Sequence, residues 1–279
     1  MAPVSATSTS SLPSRPHVAG VTATGRIYLW DDASLWLGEG TGTTQWHEHH
    51  AHQLTVALQG CFRFRTAAAG RWTTFQAAVV PSHCRHQFEI EGATVAHLFV
   101  EPESTAGRAL TARFSPGSVA EVLRDDAREA TDLLRSAAES PARSTPSSER
   151  MVDAAKAAIA VLSGAAIRPE RELDPRLTHA IAYIRANIRS PMSLGRVASA
   201  VALSESRFRH LFVAGTGTSF RAYLLWLRIN LAIRAVMSGA SWTDAAHEAG
   251  FSDSAHLTRT HKRMFGIEPT AIRPPPANL

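Results

Sequence analysis

The chain carries one short supersecondary unit twice, and that repeat constrains its second half more than any other feature. Leu194, Val197, Ala198 and Val201 recur at helical spacing and so share one face of a short helix. Ala202-Leu203 interrupts the pattern, Ser204 is a side-chain N-cap, and Phe208, Leu211 and Phe212 form the apolar stripe of a second helix. Trp242, Ala245, Ala246 and Ala249 repeat the first stripe 48 residues later. Leu257 repeats Phe208 at an offset of 49, so the second turn is one residue longer. That turn is Gly250-Phe251, with Ser252 or Asp253 as the cap. Each unit reads as a helix-turn-helix, and Ala198 and Ala246 are small because its two helices must approach closely there.

The surrounding sequence is helical too. Asp174-Pro175 starts a helix on which Leu177, Ile181, Ile184 and Ile188 share a face, and Pro191 ends it. Ser193 caps the first repeat, and a long helix, SFRAYLLWLRINLAIRAVM, joins the two units and ends near Gly239. From residue 174 onward there are thirteen Lys and Arg against six Asp and Glu, a net +7. The preceding 173 residues carry −2, so the basic excess lies wholly in the C-terminal part and favours a polyanion partner for it. With the apolar stripes inward, Ser206, Arg209, His210 and Val213 face outward on the first unit, and Ala255, Thr258, Arg259 and Lys262 on the second. Such side chains suit a major groove: Arg forks onto guanine, and Ala or Thr meets a thymine methyl. Arg207, Arg221 and Arg263 are placed for phosphates, and Ser254 opens the second reading helix. Ser204 and Ser252 put helix N-termini near phosphates.

Residues 174–274 resemble the DNA-binding domain of the AraC/XylS family of transcriptional regulators. The runs that carry the likeness are LGRVASAVALSESRFRHLF, GTSFRAYLLWLR and DAAHEAGFSDSAHLTRTHKRMFGIEP. The resemblance implies two subdomains reading successive major-groove segments of double-stranded promoter DNA. Its base readers would be Ser206, Arg209 and His210, then Ala255, Thr258 and Arg259. His261 stands where the family has Phe, His256 where Tyr is common, and Trp242 where Ile is usual.

The N-terminal part has a different texture. RIYLW, SLWLGEG, QLTVALQG, CFRFRT, TTFQAAVV, HQFEI and TVAHLFV are short strand-like runs between turn residues, which predicts an antiparallel sandwich or barrel. Residues 46–53, WHEHHAHQ, place His47 and His49 on one strand face. His47, His49, Gln53 and Gly60 resemble the first cupin motif, and Pro81 and His86 part of the second. The resemblance implies a small-molecule sensor domain with a pocket at His47, His49, Gln53 and His86. Gln53 stands where metal cupins carry Glu, which leaves His47, His49 and His86 as an all-imidazole set for a divalent metal. A metal site, a metal-free organic-effector pocket and a cluster without a ligand all remain open from sequence.

The expected organisation is a disordered tail over 1–25, a cupin-like domain over 26–115, a helical segment over 116–165, the DNA-binding domain over 174–274 and a tail over 275–279. The helical segment comprises helices at 118–138 and 149–164 around a Ser/Pro-rich break at 140–148, with a polar linker at 166–174. It could pair subunits in a homodimer or pad the sandwich. The fold class is thus multidomain, a β-sandwich or barrel followed by an all-α domain. Two cysteines outside any CxxC and a first stretch without an apolar core imply a reducing, cytoplasmic setting, with no membrane span. The function expected is an effector-controlled transcription regulator, an activator that could touch RNA polymerase, and not an enzyme. The alternative is a cupin-type metal-dependent oxygenase or isomerase.

Overall fold

A computed structural model of the chain describes residues 20–139, 148–164 and 172–273. Residues 140–147 of the break expected at 140–148, residues 165–171 and the terminal segments 1–19 and 274–279 lie outside the described residues, and Ser148 already belongs to a helix.

The N-terminal half is an antiparallel sheet folded around its own core. Its strands are β1 (Gly20–Leu29), β2 (Ala33–Thr43), β3 (His52–Gln59), β4 (Phe62–Arg65), β5 (Thr73–Phe75), β6 (Ala77–Val80), β7 (Gln87–Val100) and β8 (Ala120–Glu121). The order runs β8-β6-β3-β7-β2-β1, with β4 and β5 branching from β7. Three readings need correction. Residues 20–25, expected in the tail, are strand, paired with β2 from Gly20↔Thr43 onward. HQFEI and TVAHLFV are not two strands but the halves of β7, which turns at Gly92 with φ +64°. Residues 118–123 are not helical. Ala120–Glu121 pairs with β6, and the helix starts only at Arg124.

One face of the sheet is covered by α1 (Thr105–Arg113), α2 (Arg124–Ala138) and α3 (Ser148–Ser163). Leu134, Met151, Ala155 and Leu162 pack there against Leu35, Leu54 and Leu98. The apolar faces of α2 and α3 are thus spent inside this domain. The other face holds the aromatic cluster Phe62, Phe64, Phe75 and Phe88.

The C-terminal half is helical: α4 (Pro175–Ala186), α5 (Leu194–Ala200), α6 (Glu205–Thr216), α7 (Phe220–Met237), α8 (Trp242–Glu248) and α9 (Ser254–Phe265). Asp174, Ser193, Ser204, Ser219, Ser241 and Asp253 each accept a backbone N–H from the first turn of the helix they precede, which fixes the starts. The turn between α5 and α6 has Ala202 at φ +54°, whereas the longer turn between α8 and α9 has Gly250 at φ +77°. The chain then returns to the sheet. A two-residue strand, β9 (Ile272–Arg273), pairs in parallel with β1 at Ala23 and Thr24, where the sequence reads only as the approach to a tail.

The two halves share a core. Trp36, Ala51 and Phe99 of the sheet pack with Trp226, Ile229 and Ile233 of α7 and with Phe265 of α9. A second helical core around Phe208, Phe212, Tyr223 and Ile184 holds the first unit. His261 is buried in the second unit, and its Nδ1–H donates to the Ile267 carbonyl at 3.0 Å. Burial brings its pKa down to about 4. In the unfolded chain it titrates near 6.5. Its folded pKa is therefore depressed, so stability is fully present above 6.5 and is lost as the pH falls toward 4, by up to about 3 kcal/mol. Urea unfolding from pH 7.5 to 4.5 is expected to show this loss, and His261→Phe should flatten the slope. An unchanged slope would remove His261 as its source.

Candidate nucleic-acid interface and sensor site

The presumed reading side chains lie on the free faces of α6 and α9. Ser206, Arg207, Arg209 and His210 are exposed around buried Phe208 and Phe212, and Val213 beside them is 44% exposed. On α9, Ser254, Ala255 and Arg259 are exposed, while Thr258 and Lys262 are half-buried around buried Leu257 and His261. The Thr258 hydroxyl donates to the Ser254 carbonyl at 2.8 Å, which leaves its methyl as the outward group. Lys262 Nζ lies 2.5 Å from Glu268. Arg207 and Arg209 make no ion pair among the described residues.

The two helix starts differ. Ser204 caps α6 with a neutral hydroxyl, accepting from Arg207 N–H at 3.4 Å. The cap of α9 is Asp253, not Ser252, and its carboxylate accepts from His256 N–H at 2.7 Å. That hydrogen bond and one from Ser252 hold the carboxyl below the usual Asp range, so it stays anionic. The phosphate seat expected at Ser252 is therefore already filled by the protein's own negative charge.

The histidine site is built by two backbone segments meeting. His47 and His86 form an antiparallel bridge, each backbone N–H donating to the other's carbonyl at 3.1 and 3.0 Å. That bridge brings His47, His49 and His86 together, with one nitrogen of each within 4.8 Å of the others. The Nδ1–H of each ring donates to a backbone carbonyl: His47 to Gln45 at 2.9 Å, His49 to Ala51 at 2.8 Å and His86 to Cys84 at 2.9 Å. This leaves Nε2 as the lone pair on His47 and His86, whereas His49 Nε2 also faces an oxygen, the Gln53 Oε1. Burial and the neighbouring rings bring His47 to about 3, His49 to about 4 and His86 well below 6.5. All three are therefore neutral near pH 7. His86 Nε2 is buried and has no hydrogen-bond partner. The Gln53 amide sits 2.9 Å from His49 Nε2 and 3.1 Å from His97 Nδ1, so it bridges the set to a fourth imidazole.

Sequence reasoning missed how this site meets the helical domain. Gln45 N–H donates to the Gly266 carbonyl at 2.8 Å, and the C-cap of α9 rests against His47. Beside it lies a buried polar network across the domains. His50 Nε2 bonds Glu103 at 2.9 Å, Trp226 Nε1–H donates to Glu101 at 3.2 Å, and Arg185 pairs with Glu101. Burial and the nearby Glu103 charge push Glu101 up, while at Glu103 burial is outweighed by the bond and charge of His50 together with Glu101 and Tyr223, and its carboxyl is pulled down. Two glutamates in VEPES, close behind an apolar strand, were the signal available; their partners lie up to 125 residues away. A cleft between Glu48, His50 and His83 on one side and Arg221, His256, Arg259 and Arg263 on the other puts the histidine loop next to the second reading helix.

A sheet domain with a buried polar site is thus packed on a tandem helix-turn-helix module. Residues 197–274 match the family described as Helix-turn-helix domain. Among curated relatives, the uncharacterized HTH-type transcriptional regulator YidL of Escherichia coli K12 is 31% identical over 105 residues, 37% of this chain and 34% of YidL. HTH-type transcriptional regulator ArgR of Pseudomonas aeruginosa is 28% identical over 100 residues, 36% of this chain and 30% of ArgR. The matching region spans about a third of the length of these relatives. ToxT of Vibrio cholerae has the same fold over 92% of this chain and 97% of its own, with a TM-score of 0.52 at 11% identity. Another ToxT structure carries a bound unsaturated fatty acid. Among the described residues no helix is long and apolar enough to cross a membrane.

Proposed function

We propose that this protein is a sequence-specific, DNA-binding transcription regulator whose hold on promoter DNA is set by an effector in its N-terminal sheet. The observation that carries the reading is the pair of capped helix-turn-helix units, each with a solvent-facing helix bearing Arg between buried apolar residues. Double-stranded DNA and a small-molecule effector are its partners on this reading. Homodimerisation, contact with RNA polymerase, a cytoplasmic setting and the absence of catalysis belong to the same proposal. The direct test selects genomic fragments with the full chain and measures their affinity against salt. A steep fall in affinity with salt, together with strong preference for a few fragments, supports the reading. Equal, weak binding to all fragments would count against it.

Arg209→Ala should cost about 1–3 kcal/mol at one base position of the selected site. Arg207→Ala should weaken every fragment alike and lower the salt slope. Competition against single-base variants separates the two, and a uniform loss from Arg209→Ala would make it a phosphate contact instead.

A second reading concerns the effector site. His47, His49 and His86 fit a divalent cation of borderline softness: three neutral imidazoles, each oriented by a carbonyl, with one Nε2 left unpartnered. Such an ion would supply a buried positive charge and an open ligand position. Zinc titration of the full chain by calorimetry tests this, with stoichiometric binding lost in His86→Ala as the supporting result. Stoichiometric iron or manganese with turnover of a substrate would instead favour the oxygenase or isomerase.

A further inference from the structure

One apolar hollow of the N-terminal half is not closed by that half alone. Its floor is the β1–β2 ribbon, where Ala23, Gly25 and Ile27 pair with Gly40, Gly38 and Trp36. Small residues on that face leave a cavity of about 100 Å³, room for a small molecule only. Its polar side chains gather at one end, where Thr44, His47, Gln53 and His97 meet Phe88 and Phe99. The remaining wall is Phe265 and Ile267, from the last turn of α9 and the residues just beyond it.

We propose that this cavity binds a small, mostly apolar molecule with one uncharged oxygen-bearing head, and that Phe265 and Ile267 make its occupancy and DNA binding interdependent. The proposal rests on the regulator reading above and names the ligand class of its sensor.

The head group follows from what the walls hold. Strand alternation turns Arg26 away from the face shared by Gly25 and Ile27, so Arg26 lines the hollow with backbone. No Lys or Arg side chain therefore faces the interior among the described residues. A carboxylate would enter without a counter-charge, at a cost an uncharged oxygen avoids. The walls do offer a donor. Trp36 is only 8% exposed, and its Nε1–H is buried with no partner. An oxygen acceptor would satisfy it.

The interdependence follows from Phe265. Its ring lies 4.7 Å from Trp36 in the cavity wall and 4.9 Å from His261 inside the second unit. Trp242 of α8 stands 6.0 Å beyond His261. A molecule touching Phe265 thus presses on the residues that set the angle between α8 and α9. A ligand that favours one arrangement of that turn must favour DNA or oppose it by the same factor that DNA changes ligand affinity.

The test uses the purified full chain treated with chelator, so that no metal ion supplies a charge. It is titrated with 1-hexanol and, separately, with hexanoate, following tryptophan fluorescence and thermal shift. Saturable hexanol binding, at least tenfold tighter than hexanoate, is expected. Ile267→Trp, which fills the hollow, should abolish it, and Trp36→Phe should weaken it severalfold while preserving the fold. Hexanol affinity should also change at least threefold when a selected DNA fragment is present. Equal or tighter hexanoate binding, no saturable binding of either probe, or hexanol binding untouched by Ile267→Trp would overturn the ligand class. An affinity unchanged by bound DNA would overturn the interdependence. Absence of DNA binding altogether would overturn the regulator reading and the interdependence with it, whereas the titration without DNA decides the cavity by itself.

Discussion

Replacing Gly266 by valine is expected to cost on the order of 3 kcal/mol or more and to separate the helical domain from the sheet. Gly266 caps α9 at φ +70°, a left-handed conformation that costs an L-residue about 1–2 kcal/mol, and a β-branched one more. A Cβ built there would also meet the Gln45 carbonyl oxygen at 2.5 Å, His47 Nδ1 at 2.5 Å and the Thr44 Cβ at 3.0 Å. Two of these are fixed groups, a backbone oxygen and a ring already tied to a carbonyl, so neither can swing aside. The chain can relieve the overlap only by giving up the Gln45–Gly266 hydrogen bond and lifting α9 from the histidine loop. Thermal unfolding should then split into two transitions, and limited proteolysis should cut between the domains. A single transition at the wild-type temperature would show that the contact carries no energy.

The second large effect is expected at Glu103. Glu103→Ala removes the partner of buried His50 and leaves Glu101, Arg185 and Tyr223 around an empty position. Deleting one member of a buried ionic network typically costs about 3–5 kcal/mol, because the others remain desolvated. Chemical denaturation of the full chain measures it. Glu103→Gln keeps the shape and one hydrogen-bonding oxygen, so its loss should be clearly smaller. Equal losses from both variants would mean that charge, not packing, is what Glu103 supplies. Trp226 fluorescence should shift in either variant, since its indole N–H is held by the adjacent Glu101.

These two residues differ in how far the sequence announces them. Gly266 lies in the run that carries the family likeness, but its contact with His47 was not legible there. Glu103 drew no reading from the sequence at all. Nothing near it in sequence foretells His50 or the helices that bury it. The histidine cluster is intermediate. Alternation placed His47 and His49 on one face, and the likeness to a second motif added His86, but only the bridge between residues 47 and 86 brings the three nitrogens together. Residues 118–123 misled because Val119, Val122 and Leu123 mimic helical spacing. Pairing with β6 took Ala120–Glu121 instead.

The amino-acid order by itself determined the two helix-turn-helix units, the caps Ser193 and Ser204 of the first, and their outward faces. All of these follow from interactions within about four residues, where chain connectivity already supplies proximity. The start of β1 at Gly20, the continuity of β7, the return of β9 to the sheet and the wall that α9 lends to the cavity were decided only in the tertiary structure. Each pairs residues tens to hundreds of positions apart, and such contacts are selected by the packing of whole faces rather than by any local pattern.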